Sequence, residues 1–408
     1  MEIGARFGLA LALVALPACG GGGGDGIRVM GTIGVPSPAL VGANIVIIDA
    51  QLDGHPGGRL LVDTGSPVTL VNPGEFPGAS LPQQAQVVVD IGIGPVTVDH
   101  VPALQLAGGM MDLLRLAGIL GGNVLRDFST SFDYRGRQFW LGAGATIADV
   151  AVPGASVPFN LEGGGLARLS PQQTIVLAAT RVSVTVDLEG VKHPFIVDSG
   201  ASEMTVRSSV FQALTSDGRV AVGGFPVSTA TGSMSATITR TRSVTVAGET
   251  VTNVATLNLG DDTLLDNLEM EVKHPLDGLL GGTFLREFLV TIDYPGRTLH
   301  LQRYATRAHI VDELQRVGVS LGELTGVGYA IFSVYPATGA ARAGIVAGDQ
   351  LVGVDGHSLA NLDSIAADQL LLGTPGTSHR LAFGNASAPT LTGAEVDVPV
   401  DDIVPPPP

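Results

Sequence analysis

Two tripeptides hold the side chains best suited to chemistry, Asp63-Thr64-Gly65 and Asp198-Ser199-Gly200. Each closes an apolar run, Leu60-Leu61-Val62 before the first and Phe195-Ile196-Val197 before the second. A single such aspartate is more often a turn residue than a site. Two brought together can do more. Carboxyls about 3 Å apart cannot both ionise, so one keeps a proton as acid while the other serves as base. Such a pair can activate a water and protonate a departing amine. Peptide hydrolysis needs both steps when no metal, serine or cysteine takes part. The glycine after each Asp-Thr or Asp-Ser step lets the chain turn sharply and lets two loops approach. The Thr64 and Ser199 hydroxyls can donate and accept the hydrogen bonds that would lock those loops together.

The residues that follow show a duplication. Gly118-Ile119-Leu120-Gly121-Gly122-Asn123-Val124-Leu125-Arg126-Asp127-Phe128 is answered by Gly278-Leu279-Leu280-Gly281-Gly282-Thr283-Phe284-Leu285-Arg286-Glu287-Phe288. Phe132-Asp133-Tyr134 is answered by Ile292-Asp293-Tyr294, and the offset is 160 residues for both pairs (Gly121 to Gly281, Asp133 to Asp293). A repeat that supplies one carboxylate per copy is a direct way to build a paired-aspartate site.

The elements that must position these loops are strands. Val41 to Ala50 and Thr180 to Leu188 are rich in β-branched residues and lead toward the aspartates. Helical periodicity is scarce outside the two Gly-Gly-x-x-Leu-Arg segments, which read as short helices. The expected fold is mainly β, a two-lobed body with one repeat over residues 36–150 and the other over 151–304. Trp140 falls in a core strand, and Arg126 and Arg286 match as salt-bridge residues of the short helices. The copies are unequal. Asp63 to Gly121 spans 58 residues and Asp198 to Gly281 spans 83. Most of the surplus falls between Ser208 and Ser243, where Val227 to Ile238 reads as a hairpin with a glycine turn. Only the second lobe then has a long hairpin able to fold over a cleft.

Bulk composition narrows the partners. The chain has 408 residues, enough for two to three domains, and its 45% hydrophobic content fills real cores. Its 22 basic and 38 acidic residues leave a net charge of −16. That balance argues against nucleic acid, which needs a basic footprint, and against a polybasic membrane-surface module. Eight histidines stand singly, with no His-Glu-x-x-His and no cysteine partner, so neither a metal nor another cofactor is expected.

The paired motifs, Asp-Thr/Ser-Gly followed by Ile119-Leu120-Gly121 and Leu279-Leu280-Gly281, resemble the aspartic proteases of the pepsin and retropepsin superfamily. The resemblance covers residues 36–304. It is locally closer to the retropepsin-like bacterial type, with both lobes fused in one chain as in pepsins, so a monomer is expected. It implies Asp63 and Asp198 as the catalytic dyad, with Thr64, Gly65, Ser66, Ser199 and Gly200 supporting them. It implies an extended polypeptide substrate held beneath the Thr229 to Thr237 hairpin as a flap, with Thr231, Gly232, Ser233 and Met234 near its tip. That flap would lie in the second lobe, opposite to the pepsin arrangement. Ser66 in one loop faces Ala201 in the other. A hydroxyl beside Asp63 alone would make Asp63 the more acidic partner and leave the shared proton on Asp198.

Both ends of the chain add something. Residues 1–19 read as a targeting segment: Arg6, then an apolar stretch from Phe7 to Leu16 that is too short for a bilayer. It ends in Leu16-Pro17-Ala18-Cys19, ahead of Gly20 to Gly24, and resembles the lipobox of bacterial lipoproteins. That resemblance implies lipidation of Cys19, the only cysteine, with 20–35 as a glycine-rich tether. An ordinary signal peptide with an incidental cysteine is the alternative, and residues 25–40 are open between a short propeptide and a first strand. At the other end, Ala343-Gly344-Ile345, Gly348-Asp349 and Val354-Asp355-Gly356 resemble the heart of a PDZ domain over 313–402. The resemblance implies a peptide ligand added as a strand at a sheet edge, with its carboxylate loop at Gly326, Val327, Gly328 and Tyr329. A docked domain that only steadies the body is the alternative. Val404 to Pro408 reads as a proline tail without packing capacity.

Together the resemblances imply an exported aspartic endopeptidase, lipid-anchored in a bacterial envelope and facing the periplasm, whose PDZ domain captures or positions polypeptides. A catalytically silent peptide-binding lipoprotein is the rival reading.

Overall fold

The computed structural model of the chain describes residues 27–407, except 77, 80, 83–84, 107–115, 143–144, 146, 151–153, 171–172, 230–231, 307–308, 325–327 and 385–392. The first repeat opens with β1 (Arg28–Gly31), β2 (Pro36–Gly42) and the hairpin of β3 (Ile45–Leu52) and β4 (His55–Val62), which runs into Asp63. Then come β5 (Thr69–Val71), the hairpin of β6 (Gln86–Ile93) and β7 (Val96–Gln105), and β8 (Gly118–Leu120). A single-turn helix, Gly122–Leu125, leads to the hairpin of β9 (Ser129–Asp133) and β10 (Gln138–Gly142).

The second repeat begins with β11 (Ala155–Pro158), β12 (Asn160–Glu162) and a separate hairpin, β13 (Gly165–Ser170) and β14 (Gln173–Leu177). It then runs the same course. The hairpin of β15 (Arg181–Leu188) and β16 (Val191–Val197) enters Asp198, and β17 (Met204–Val206) follows. Next are β18 (Val222–Thr229), β19 (Gly232–Val246), β20 (Glu249–Asn258) and β21 (Gly278–Leu280). The single-turn helix Gly282–Leu285 and the hairpin of β22 (Phe288–Asp293) and β23 (Thr298–Arg303) close it.

Period-two burial is clear where a strand has one face on the core. In β15, Val182, Val184, Val186 and Leu188 are buried while Thr185 is exposed. The strands that end in the aspartates are apolar on both faces because each is central in its sheet. Leu60, Leu61 and Val62 of β4 lie parallel to Gly118, Ile119 and Leu120, and Phe195, Ile196 and Val197 of β16 lie parallel to Gly278, Leu279 and Leu280. β5 and β17 complete each motif, antiparallel to β8 and β21 and parallel to β7 and β20. The lobes join where β9 pairs antiparallel with β22, and Ser131 faces Thr291 with their hydroxyls 2.7 Å apart. These two residues are 160 apart in sequence. An antiparallel pairing in which a residue faces its own counterpart is what a two-fold relation between repeats produces.

Four readings of the sequence need correction. Residues 28–31 of the expected tether are β1, an exposed edge strand held by backbone pairing with β7 (Arg28 to Asp99 through Gly31 to Val96). The expected strand from Val41 to Ala50 is two strands, β2 and β3, because Ala43 and Asn44 turn with φ of 46° and 60°. The second repeat carries two helices as well as the hairpin. Ser208–Thr215 buries Val210, Phe211 and Leu214, and Thr263–Val272 buries Leu265 and Val272. Finally, the C-terminal tail is packed: Val404 is fully buried beside Leu314, Tyr335 and Ile403.

The C-terminal module comprises β24 (Gln315–Arg316), β25 (Val319–Leu324), β26 (Gly328–Val334), β27 (Gln350–Val354), β28 (His357–Ser358), β29 (Ser378–Phe383), β30 (Glu395–Pro399) and β31 (Asp401–Asp402). It has its own core, with Val317, Ile331, Ile345, Leu351, Leu381 and Val398 at its centre. Its helix Ser364–Gln369, capped by Asp363, docks on the first lobe. Ile365 joins Ile45, Ile47, Leu61 and Ile119, and the Asp363 carboxylate accepts from Arg59 Nη1 at 2.9 Å. Against the second lobe, the Tyr335 ring stacks on Phe225 of β18, with centroids 5.3 Å apart and planes 5° apart. The buried Arg240 of β19 bonds Asp312 at 2.7 Å and Asp402 at 2.9 Å.

Ile365→Ala should therefore cost about 2–4 kcal/mol in denaturant unfolding, the range for truncating a buried isoleucine. An unchanged unfolding midpoint would mean that this contact contributes nothing to the native state.

Candidate active site

Each aspartate is held at the end of its strand by the return strand of its own lobe. The Asp63 N–H donates to the Leu120 carbonyl and the Asp198 N–H to the Leu280 carbonyl, both at 3.1 Å. The loops are then cross-linked. The Ser199 N–H donates to Thr64 Oγ1 at 3.0 Å, and Thr64 Oγ1–H donates to the Val197 carbonyl at 2.8 Å. Reciprocally, the Thr64 N–H donates to Ser199 Oγ at 3.1 Å, and Ser199 Oγ–H donates to the Val62 carbonyl at 2.7 Å. Both side chains are buried. Each glycine lies under the opposite carboxyl. A Cβ on Gly65 would come within 2.5 Å of Asp198 Cγ, and one on Gly200 within 2.5 Å of Asp63 Cγ. No other residue fits either place. The return strands obey a similar limit, since a Cβ on Gly121 or Gly281 would lie 2.3 Å from the carbonyl oxygen of Val68 or Glu203.

The two carboxyls hydrogen-bond each other. Asp63 Oδ1 accepts from the N–H groups of Gly65 and Ser66 at 2.8 and 3.0 Å, and Asp198 Oδ1 from those of Gly200 and Ala201 at 2.9 and 3.2 Å. Burial pushes the Asp198 carboxyl well above the usual range, and the charge of Asp63 pushes it further. Burial raises Asp63 too, but the Asp198 hydrogen bond, the Ser66 and Gly65 N–H groups and the Arg181 charge pull it back. Both shifts favour a proton on the pair, more strongly at Asp198 than at Asp63. The reason expected from the sequence does not apply. Ser66 Oγ–H donates to the Val68 carbonyl at 2.8 Å, and Ser66 meets Asp63 through its N–H, as Ala201 meets Asp198.

Three residues near the pair escaped the sequence reading. Arg181 reaches the loop of the other lobe, its Nε–H donating to the Gly65 carbonyl at 2.9 Å. A lone arginine opening a valine-rich strand was the available signal, but its target is 116 residues away. Tyr134 and Tyr294 are fully buried; burial raises both phenols, helped by the charge of Asp198 for the first and of Asp63 for the second. They occupy equivalent places in the two repeats, so the duplication itself pointed to them.

The remaining expected site residues are dispersed. The hairpin of β18 and β19 is present in the second lobe, but Thr231 lies outside the described residues. Gly232 and Ser233 open β19, and Met234 is half-buried against the cluster of Phe225 and Tyr335. In the C-terminal module, Gly326 and Val327 lie outside the described residues. Gly328 pairs with Leu324 at the closed end of the β25–β26 hairpin, and Tyr329 is buried, its hydroxyl donating to the Leu362 carbonyl at 2.8 Å. β25 and β30 are the two ends of this sheet's strand order, and the helix Ser364–Gln369 packs along β25. Cys19 lies outside the described residues. Among the described residues, no group of three His, Cys, Asp or Glu is placed to hold a metal ion. The matched arginines differ: Arg126 is exposed, while Arg286 is buried and bonds Asn44 Oδ1 at 2.6 Å and Glu313.

Glu203, five residues past Asp198, is half-buried. Burial, then the charge of Glu313, pushes its carboxyl up to about 8, against the pull of Arg286 and Arg316. Between its ordinary 4.5 and about 8 this group binds a proton when folded and releases it when unfolded. Its contribution to stability is therefore complete below pH 4.5 and is lost as pH rises through about 8. Glu203→Gln should unfold with a shallower loss of stability over that window than the wild type; parallel curves would refute the assignment. Ser199→Ala should cost about 1–3 kcal/mol, because it strands the Thr64 N–H and the Val62 carbonyl in a dry contact. Calorimetric or denaturant unfolding measures that loss, and none would mean the cross-link is dispensable.

Over residues 184–287 the chain matches the family described as "gag-polyprotein putative aspartyl protease", and over 331–383 it matches the PDZ domain family. Among solved structures, the aspartic proteinase from Irpex lacteus is similar at 16% identity and a TM-score of 0.39, covering 66% of this chain and 97% of that one. No curated protein matches. The chain thus carries a retropepsin-like aspartyl protease domain followed by a PDZ domain.

Proposed function

We propose that the protein is an aspartic endopeptidase that cuts extended or unfolded polypeptides with a water activated by Asp63 and Asp198. The observation that carries this reading is the facing of two half-buried carboxyls, each lying over the other loop's glycine, supplied by equivalent loops of a duplicated fold. Asp63, ionised, takes a proton from the water as it attacks the scissile carbonyl carbon. Asp198, protonated, gives its proton to the carbonyl oxygen. The resulting gem-diol collapses as Asp63, now protonated, gives its proton to the amide nitrogen, the C–N bond breaks, and Asp198 takes the proton of one gem-diol hydroxyl, so the dyad again holds one proton. No cofactor is needed, and one chain supplies both aspartates.

In this reading the β18–β19 hairpin closes over the substrate. The PDZ domain takes a peptide as an added strand on the open side of β25, beside the helix Ser364–Gln369. A lipid on Cys19 anchors the monomer in a bacterial envelope, facing the periplasm.

Wild type and Asp63→Asn, incubated with a denatured protein between pH 4 and 7, test the proposal. The wild type should release peptides with new termini and the variant should fall by at least about a thousandfold, the scale expected when one member of a coupled catalytic unit is removed. Equal cleavage by both would remove the enzyme reading. No cleavage by either would leave peptide binding through the PDZ domain as the activity.

A further inference from the structure

The duplication makes the two aspartate loops alike, yet one position beside them differs in charge. Ile47 pairs with Leu61, two residues before Asp63, and Ser183 pairs with Ile196, two before Asp198. Two residues back along those partner strands are Ile45 in the first repeat and Arg181 in the second. Both are buried. Ile45 meets only apolar neighbours in its cluster, Ile47, Leu61, Ile119 and Ile365 among them. Arg181 brings a guanidinium to the equivalent place.

A buried guanidinium is costly unless its donors are satisfied. Here Nη1 donates to the buried Glu271 of the helix Thr263–Val272, and Nε donates across the lobe boundary to the Gly65 carbonyl. Gly65 lies directly under the Asp198 carboxyl and gives its own N–H to Asp63. Arg181 therefore grips the peptide segment that separates the two acids.

We propose that Arg181 is the positioning residue that makes the pair unequal, fixing the Gly65 carbonyl from the other lobe and setting a permanent positive charge beside the Asp63 loop. Asp63 is thereby the base and Asp198 the acid, and the roles do not exchange between turnovers.

The other surroundings are nearly balanced. Each carboxyl accepts from two backbone N–H groups, at 2.8 and 3.0 Å for Asp63 and at 2.9 and 3.2 Å for Asp198. Facing Asp63 are Asp198 from the opposite loop, Tyr294 beyond β22, and Arg181 with Glu271 behind it. Facing Asp198 are Asp63 and Tyr134. The tyrosines are equivalent and neutral, so they do not tell the acids apart. Arg181 reaches the Asp63 loop through its hydrogen bond to the Gly65 carbonyl, and its charge lowers Asp63 after the Asp198, Ser66 and Gly65 hydrogen bonds do.

The inference rests on the reading of Asp63 and Asp198 as a proton-sharing dyad, and its test does not need turnover. Carboxyl 13C NMR titration of the full chain in Asp198→Asn and Asp63→Asn backgrounds follows one acid at a time. Adding Arg181→Gln with Glu271→Gln, so that no buried carboxylate is left unpaired, should raise the Asp63 titration by about one pH unit, a tenfold change in proton affinity. Asp198 should move by less than about a third of that. Equal movement of both acids, or none, overturns the proposal. Arg181→Lys keeps the charge and should leave Asp63 close to its wild-type titration; a shift as large as the glutamine pair gives would assign the effect to packing and overturn it as well. Should the glutamine pair not fold, the lysine variant decides alone: a titration within about 0.3 pH unit of wild type supports the proposal and a larger shift overturns it. If the chain cleaves nothing while Asp63 still responds to Arg181, the endopeptidase reading fails and this one stands.

Discussion

Everything at the candidate site depends on the buried cross-link between Thr64 and Ser199. Each backbone N–H meets the other's hydroxyl, and each hydroxyl reaches past it to a carbonyl of the opposite strand. Any one of these bonds adds only about 1 kcal/mol net, but leaving its partners unmade in a dry interface costs more. The four are made together or not at all. That cooperativity fixes the loop separation, and the separation in turn dictates a glycine under each carboxyl and a hydrogen bond between the acids. The pairing of β9 with β22 brings the lobes together broadly, whereas the Thr64–Ser199 contact joins the two aspartate loops directly.

The symmetry that builds the site is not kept around it. Among the described residues, the second lobe alone carries the β18–β19 hairpin and the helices Ser208–Thr215 and Thr263–Val272. The first lobe instead receives the C-terminal module, whose Ile365 fills the apolar cluster around Ile45. An isoleucine at 45 accepts the module there, while its counterpart, Arg181, turns inward to the loop. The same module braces the base of the hairpin through Tyr335 and Phe225. It is a third wall of the body and not a loosely strung appendage.

How far the sequence was legible follows from what each signal encodes. The Asp-Thr/Ser-Gly and Leu-Gly-Gly words record close approaches of backbone, and such constraints admit few residues, so they read directly. Strand alternation such as Val182, Val184, Val186 and Leu188 records a face on the core and reads nearly as well. The helix over Ser208–Thr215 was missed because Val210, Phe211 and Leu214 are only one turn of apolar spacing. Ser66 misled because a hydroxyl can choose its acceptor, and this one donates to the Val68 carbonyl. Tyr329 is buried with its hydroxyl on the Leu362 carbonyl, a contact that a glycine-rich turn does not announce. Val404 was unreadable, since a valine before a proline run is buried only if another unit offers a surface.

The contacts least visible in sequence are the ones made by arginine across unit boundaries. In a chain with 22 basic against 38 acidic residues, cations are scarce. Even so, Arg181 ties the second lobe to the first loop, and Arg240 ties β19 to Asp312 and Asp402. Arg286 bonds Asn44 and Glu313, and Arg316 bonds Asp368 on the docking helix. Buried ion pairs return little net stability after desolvation, so these are poor glue. What a planar guanidinium provides is direction: its donors are satisfied in one relative placement and stranded in most others. A dyad that must hold one proton between two lobes gains from that selectivity, because a slip too small to disturb the apolar core would already separate the acids.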